Sequence, residues 1–590
     1  MNKMSFDFLD FGFPKSGTDW KSINGKPYIT VSSKGRSNGL SNKINDGADF
    51  GPDTTLGATS PNQTGAPYTK NSGLSEFVNY VEANGYVGRA FIKNGTYNII
   101  APIYLPSLYL SSGTLTLLKS DGTTISNPSI SHIDISFIGE SRDGVIFVMG
   151  DGVTSAIGGF QMPVGISNSV NTSLTIENMT PMPNPNYPLQ TTFSGTHPIN
   201  PTLFYLILSS IKLKNMHITA QYIGQGFGSA IFVGSSDGYS GFTEDFEDIK
   251  FTNSCGLGLN PFGRVTTYFK NIDLFNSGYW DDVISLNCND QTDKQIIIID
   301  GMYLGQDKPV PSDIATGGAA QLHLAGSTPN TMVKLTGKGI ISMPLQQSSY
   351  QTILSEGFSG LDMDITAINS GIVLTNPNNS RIKFKEYITN SAFTANSIEV
   401  YGGFVNTVFD HTIYNTTGAS VTGGNFNIVS NATITDSKIK IKMFGSSGIN
   451  AELITSNGAN SVSNLTLDGD VTDQLTAFPT YGIINNSLIP LTLVSPTMIP
   501  YGKVINSLGV TTPAVPTSGT AQENTNPYPV NVYLYGGVVT EIQITKNGTA
   551  YTVFSNASGL ALSGQVYKLN PSDSITITYT TAPTWEWLSD

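Results

Sequence analysis

Charge is scarce in this sequence: Asp, Glu, Lys and Arg make up only 12% of its 590 residues, about half the share of an ordinary soluble protein. The polar surface must therefore be built from hydroxyls and amides, the groups that pair with sugar donors and acceptors. Basic residues are scarcer still. Lys+Arg 30 against Asp+Glu 43 leaves a net charge of −13, a field that repels phosphate backbones and excludes nucleic acid as a partner. Two cysteines, Cys255 and Cys288, exclude a disulfide framework and a structural zinc site and read as buried thiols. No apolar run reaches the roughly 20 residues of a membrane span. Met1 to Pro14 lacks the continuous apolar stretch of a secretion signal, because Phe6, Phe8, Phe11 and Phe13 are interrupted by Asp7 and Asp10.

What is present is a folding chain rich in small polar residues, with 39% hydrophobic residues and 61 glycines. Roughly eleven Asn-x-Ser/Thr triplets, among them Asn62, Asn94, Asn171, Asn415 and Asn556, add an outward-facing flavour that is weak in so Asn-rich a chain. Residues 1–40 have little regular pattern and read as a docking or capping segment. Leu74, Phe77, Val78 and Val81 recur at helical spacing, with Ser72 as N-cap and Gly85 as stop. Strands follow at Arg89–Ile92 and Tyr97–Ile100 around a turn at Asn94-Gly95.

An internal repeat then appears. Phe246-x-x-Ile249-x-Phe251-x-Asn253 is followed after 23 residues by Phe269-x-x-Ile272-x-Leu274-x-Asn276, and then by Ile299-x-x-Met302-x-Leu304-x-Gln306. Looser copies lie near Ile382, Ile398, Val408 and Ile434. A period of about 20 to 30 residues is one turn of a β-solenoid, in which equivalent residues stack about 4.8 Å apart. The expectation is an inward column of Ile249, Ile272 and Met302, and an amide ladder of Asn253, Asn276 and Gln306. The parallel β-helix is assigned to 41–500, a Pro/Thr-rich linker to 501–516 and a small antiparallel β-sandwich to 517–590, with turns at Gly536-Gly537, Asn547-Gly548 and Pro571-Ser572-Asp573.

Asp46-Gly47-Ala48-Asp49, the helix after it, Phe91-Ile92-Lys93-Asn94-Gly95-Thr96-Tyr97, Ile103-Tyr104-Leu105-Pro106 and Phe137-Ile138-Gly139 to Val145-Ile146 together resemble the opening of pectate-lyase-like right-handed parallel β-helix proteins. That superfamily includes phage tailspikes, polysaccharide lyases, polygalacturonases and surface adhesins. The resemblance implies an all-β, right-handed parallel β-helix with an N-terminal capping helix. The likeness to tailspikes implies a homotrimer. The Asp-Asp-Thr-x-Ala segment usual before the capping helix is missing here.

Chemistry has few places to sit. Asp281-Asp282, preceded by Tyr279-Trp280, resembles the paired carboxylates of polygalacturonase-like β-helices, with the aromatics placed to stack on a sugar ring. The companion Asn-Thr-Asp and Gly-His-Gly motifs are absent, and Arg381-Ile382-Lys383 comes several turns too late, so a solvated turn capping a strand is the competing reading. Glu244 and Asp245, within the acidic stretch Asp237 to Asp248, could join that groove, with Arg264 as a partner; an acidic surface loop is the alternative. In Gln321-Leu322-His323-Leu324 the alternation turns His323 outward, as a candidate proton donor or base or as a plain surface residue. Trp585 and Trp587 face one side, as a sugar platform or as core. No cofactor is expected, although the carboxylates have the donor type for Ca²⁺.

These readings converge on a virion-surface or extracellular protein that recognises host polysaccharide or glycoprotein and meets other virion proteins through its N-terminal segment. A depolymerising glycosidase or lyase and a cellular surface adhesin are the alternatives. Virion assembly and lysis would deliver such a chain without a signal; another export route fits equally.

Overall fold

The structure is a computed structural model. It describes residues 28–34, 48–61, 63, 67–149, 159–161, 169–182, 204–207, 210–219, 231–234, 240–252, 257–260, 264–275, 284–287, 295–305, 320–325, 333–343, 351–390, 397–417, 426–429, 433–445, 452–456, 461–470, 481–485, 492–493, 504–506, 512–526 and 529–589. Residues Met1–Thr366 and Ala367–Asp590 form two compact units.

In the first unit two parallel ladders run through the sequence turn by turn. One begins with Ile29–Val31 on Val87–Ile92 and continues through Ile133–Gly139, Thr172–Met182, Ser210–Thr219, Ser240–Thr252, Arg264–Phe275, Gln295–Gly305 and Val333–Met343. The other runs from Ile103–Tyr104 through Phe160–Gln161, Phe204–Ile207, Ile231–Gly234, Leu257–Asn260, Ile284–Asn287 and Ala320–Ala325 to Gln351–Ser355. Each strand pairs with its counterpart one turn later, which is a right-handed parallel β-helix. The first rung starts at Ile29, inside the segment 1–40 assigned above to docking; the rest of that segment, apart from residues 28–34, lies outside the described residues.

The repeat stacks in the expected register. Ile249 pairs with Ile272 and Ile272 with Met302; Phe246, Phe269 and Ile299 form the adjacent column, and Phe251, Leu274 and Leu304 the next. All nine are at most 2% exposed. The Phe246 and Phe269 rings stack at 5.3 Å and 17°. Each such side chain contributes about 1.5–3 kcal/mol by leaving water.

The spacing of three between Phe246 and Ile249 does not suit a straight strand, whose inward residues recur every two. Asp248 explains it. It adopts φ +55°, as do its counterparts Asn178 (+60°), Asn215 (+49°) and Asn271 (+53°), with glycines at Gly301 (+81°) and Gly339 (+65°). One left-handed residue per turn bends the strand so that the residues on both sides of it point inward, and Asn, Asp and Gly tolerate that region best. The Asn215 amide donates to Asn178 Oδ1 at 2.8 Å, and the Asn271 amide to Asp248 Oδ1 at 2.7 Å. Two side-chain amide bonds between neighbouring rungs thus sit at this bend. Asn253, Asn276 and Gln306, where an amide ladder was expected, lie outside the described residues. Just before the bend, Glu177, Lys214, Glu247, Lys270, Asp300 and Lys338 follow one another in register with alternating charge. Lys214 lies 2.9 Å from Glu247, which Lys270 also pairs. Opposite charges facing across strands stabilise the ladder, and their alternation leaves no net field.

The helix Leu74–Ala83 buries Leu74, Phe77, Val78 and Val81, as its periodicity requires. Phe77 packs edge-on against Phe137 at 5.4 Å. Gly73, not Ser72, occupies the N-cap; the Ser72 hydroxyl accepts from Asn98 N–H at 3.2 Å instead, tying the helix start to the strand Gly95–Ile99.

The second unit repeats the two-ladder plan. Arg381–Ile388, Val408–Asn415, Thr433–Gly445, Ser461–Asp470 and Thr492–Leu493 form one ladder. Ile372–Thr375, Ile398–Tyr401, Phe426–Ile428, Glu452–Ser456, Tyr481–Asn485 and Val504–Asn506 form the other. Parallel pairing therefore reaches Asn506, inside the expected linker. The Pro/Thr stretch after it is docked rather than free. Pro513 C=O accepts from Trp585 Nε1 at 2.7 Å, Pro516 C=O from Tyr579 Oη at 2.7 Å, and Thr512 Oγ1 from Trp587 N at 3.0 Å.

The C-terminal sheet is antiparallel, with strands Ala521–Glu523, Val530–Lys546, Thr549–Leu569, Ser574–Thr581 and Thr584–Ser589. Gly536-Gly537 is not the expected turn but a bend within the strand Val530–Lys546, with φ +61° and +63°. The bend folds one sheet over a shared core: Val530, Val532 and Leu534 before it and Val539, Ile542 and Ile544 after it join one buried cluster. This is the expected small sandwich, made from a single bent sheet.

Candidate functional site

On the strand Ala320–Ala325, Leu322 and Leu324 are fully buried and His323 points outward, as the alternation dictates. In register, His323 lies between Ser285 and Leu354. Ile353 and Ser355 are buried, so Glu356, two residues beyond Leu354, shares the outward face with His323. Glu356 N–H extends the ladder by donating to Leu324 C=O at 3.0 Å. His323 Nε2 lies 3.5 Å from Glu356 Oε1, with side chains 17% and 46% exposed. That is ion-pair distance, long for a hydrogen bond. A half-open imidazole beside a solvated carboxylate can take and return a proton.

Asp281, Asp282, Tyr279 and Trp280 lie outside the described residues. The strand that follows them, Ile284–Asn287, is one rung from His323 in the same ladder. Asp245 and Arg264 belong to the other ladder, on Ser240–Thr252 and Arg264–Phe275. Asp245 sits on the outer side, in register with Lys212 and Tyr268.

Glu244 leaves the glycan-facing set. It is 2% exposed and stacks inside the solenoid between Ile211 and Thr267. Adjacent residues on a strand face opposite ways, so Glu244 and Asp245 could not both be outside. Thr267 Oγ1 donates to Glu244 Oε2 at 2.7 Å, while Oε1 has no partner among the described residues. Burial pushes this carboxyl up to about 7, against the opposing effect of the Thr267 hydrogen bond.

Trp585 and Trp587 leave it as well. They are 5% and 2% exposed, meet edge-on at 5.5 Å, and belong to the core of the C-terminal sheet. Their shared side is the inner one, because the outer positions of the final strand carry Thr584 and Glu586.

A second outward grouping escaped the sequence reading. In the ladder Ile372–Thr375, Ile398–Tyr401 and Phe426–Ile428, inward Ile398, Val400, Phe426 and Ile428 are buried. Between them Glu399 and Asn427 face outward in register. Tyr401 ends its strand at 40% exposure, released by the left-handed pair Gly402 (φ +74°) and Gly403 (φ +99°). Tyr401 Oη donates to Glu399 Oε1 at 3.0 Å, and Asn427 Nδ2 to the same oxygen at 3.4 Å. Asn427 Oδ1 is buried without a partner among the described residues. Burial first, and then the Glu399 carboxylate, push the Tyr401 phenol up, so it remains a donor. The available signal was the repetition of apolar-x-apolar with Glu and then Asn at the middle position.

Inside the second unit lies a further pair. Glu386 and His411 are each 0% exposed, with Nε2 and Oε2 3.3 Å apart. The imidazole stacks on Phe384 at 5.1 Å. No substrate can reach them there. Among the described residues there is no group of three metal-ligating side chains, and no helix is long and apolar enough to cross a membrane.

No protein-family model matches the chain, and no curated protein matches it. Solved structures of similar fold include a mutant tailspike protein of Escherichia coli bacteriophage HK620, at 12% identity over 88% of this chain and 87% of that one, with a TM-score of 0.38. Another mutant of that tailspike, in complex with a hexasaccharide, matches at 11% identity over 88% and 87%, with a TM-score of 0.33. The A-module of a mannuronan C-5 epimerase from Azotobacter vinelandii matches at 10% identity over 75% of this chain and 98% of that one, with a TM-score of 0.28. The assignment of the β-helix rests on the parallel register itself.

Proposed function

We propose that this chain is a glycan-recognising β-helix protein of a virion surface, of tailspike or receptor-binding type, that meets host polysaccharide or glycoprotein. The observation that carries the reading is the Glu399–Tyr401–Asn427 grouping: an exposed ring flanked by a carboxylate and an amide on an outward face. A sugar offers such a site an apolar face and paired hydroxyls. The charge-poor, hydroxyl- and amide-rich composition supports it, and the N-terminal segment is the proposed contact to other virion proteins in a homotrimeric particle component. The test is retention on a panel of immobilised neutral, basic and acidic polysaccharides; retention on none of them sinks the reading.

A second reading, cleavage of the bound glycan, draws on the His323–Glu356 pair on an outward rung. In it Asp281 and Asp282 are the acid and base, His323 assists proton movement, and Tyr279, Trp280, Asp245 and Arg264 hold the chain. Asp282→Asn removes charge while keeping shape. It should abolish any shortening of the polysaccharide while leaving retention intact; unchanged cleavage returns the pair to a structural role.

A further inference from the structure

We propose that the Glu399–Tyr401–Asn427 grouping selects amino sugars, and that it discriminates against glycans bearing carboxylates. This rests on the glycan-binding reading above and adds the chemical class of the ligand.

The grouping is rich in acceptors and poor in free donors. The Tyr401 hydroxyl proton is committed to Glu399 Oε1 at 3.0 Å, and one amide proton of Asn427 points at the same oxygen at 3.4 Å. That leaves a single side-chain N–H for a ligand. Against it stands the rest of the Glu399 carboxylate. What a ligand meets at this grouping is the Glu399 carboxylate, which accepts both internal bonds through Oε1 alone, so the ligand that binds best here is one that donates. Sugar hydroxyls donate singly. An ammonium donates three protons and brings positive charge to a carboxylate that has no ion-pair partner among the described residues.

Electrostatics points the same way. A uronate, sialate or phosphate would set like charge against Glu399 on a half-buried face, in a chain whose net charge is −13. The geometry also suits a ring. Tyr401 is exposed and stands at the end of its strand, where Gly402 and Gly403 turn the chain away. A pyranose can lie on its face while an amine or hydroxyl reaches Glu399, two residues back on the same strand and about 4.8 Å from Asn427 on the next rung.

The test is isothermal titration of the full chain with glucosamine hexamer, N-acetylglucosamine hexamer and galacturonate hexamer, at a pH where the amine is protonated. The glucosamine hexamer should bind at least tenfold more tightly than the galacturonate hexamer. Tyr401→Ala and Asn427→Ala should each weaken it tenfold or more without moving the thermal midpoint. Glu399→Gln should weaken it and narrow the gap to galacturonate, which loss of packing alone would not do. Equal binding of the two charged hexamers, or glucosamine binding untouched by Tyr401→Ala, overturns the proposal. If the protein binds neither amino-sugar hexamer yet is retained by another polysaccharide, the amino-sugar assignment falls and glycan recognition stands. Retention by none of the polysaccharides takes both down.

Discussion

His323–Glu356 in the first unit and His411–Glu386 in the second are drawn to the same pattern. In each, the histidine faces a residue on the adjacent parallel strand, Leu354 or Phe384, and the glutamate lies two positions beyond it. Strand alternation puts each glutamate on the same side as its histidine. The separations are alike, 3.5 and 3.3 Å, but the exposures are not: 17% and 46% for the first pair, zero for both partners of the second. The outer pair keeps its Glu356 carboxylate open to water, with the His323 ring partly covered. The inner pair has only its own contact and the Phe384 ring, with His411 Nδ1 and Glu386 Oε1 unpartnered among the described residues. One sequence pattern thus yields a chemical site or a structural constraint according to which side of the strand it occupies.

The largest effect should come from breaking the inner pair. Glu386→Leu leaves His411 buried without its partner and should cost about 3 kcal/mol in denaturant unfolding. The double variant Glu386→Leu/His411→Phe, which extends the stack from Phe384, should recover most of that loss. If the single and double variants are equally unstable, the pair is not coupled.

Glu244 sharpens the comparison, being a buried carboxyl with no histidine at all. Burial holds its folded pKa at about 7, above the ordinary carboxyl value of 4.5. Between those values the folded state holds a proton that the unfolded state has released, so stability is full below about pH 4.5, falls as pH rises and is lowest above about pH 7. The slope integrates to about 3 kcal/mol. Glu244→Gln should flatten that window of the stability–pH curve, measured by denaturant unfolding at a series of pH values. A variant that keeps the wild-type slope would assign it to other groups.

The smallest effect belongs to the outer pair. His323→Ala should cost about 1 kcal/mol or less, because the ring is only partly buried and its glutamate stays hydrated. A cost several times larger would place His323 with the inner pair as a structural residue, and only a catalytic assay would then register the difference between the two histidines.

The repeat could be read from the chain because apolar residues recur at one spacing, and stacking of Ile249, Ile272 and Met302 needs nothing more. The corner could not. Asp248 and Asn271 are ordinary polar letters, and their left-handed conformation emerges only when successive turns are laid in register and an amide finds its neighbour. The same limit misplaced Gly536-Gly537, since two glycines mark a turn or a bend equally well. Of the proposed site, His323 was legible because its leucine neighbours declare which way it faces. The Glu399–Tyr401–Asn427 grouping was not, because Asn427 joins the Glu399–Tyr401 strand across a ladder rather than along the chain.

Sequence alone therefore determined the solenoid, its period, the capping helix, the inward columns and the antiparallel character of the C-terminal sheet, because each depends on local periodicity and on apolar burial. Tertiary structure alone decided that Glu244 lies inside, that Trp585 and Trp587 pack against Pro513 and the core, and that Glu399, Tyr401 and Asn427 meet. Those outcomes depend on which face of a strand becomes the interior and which rung becomes its neighbour, and a strand acquires both only when the turns before and after it have stacked.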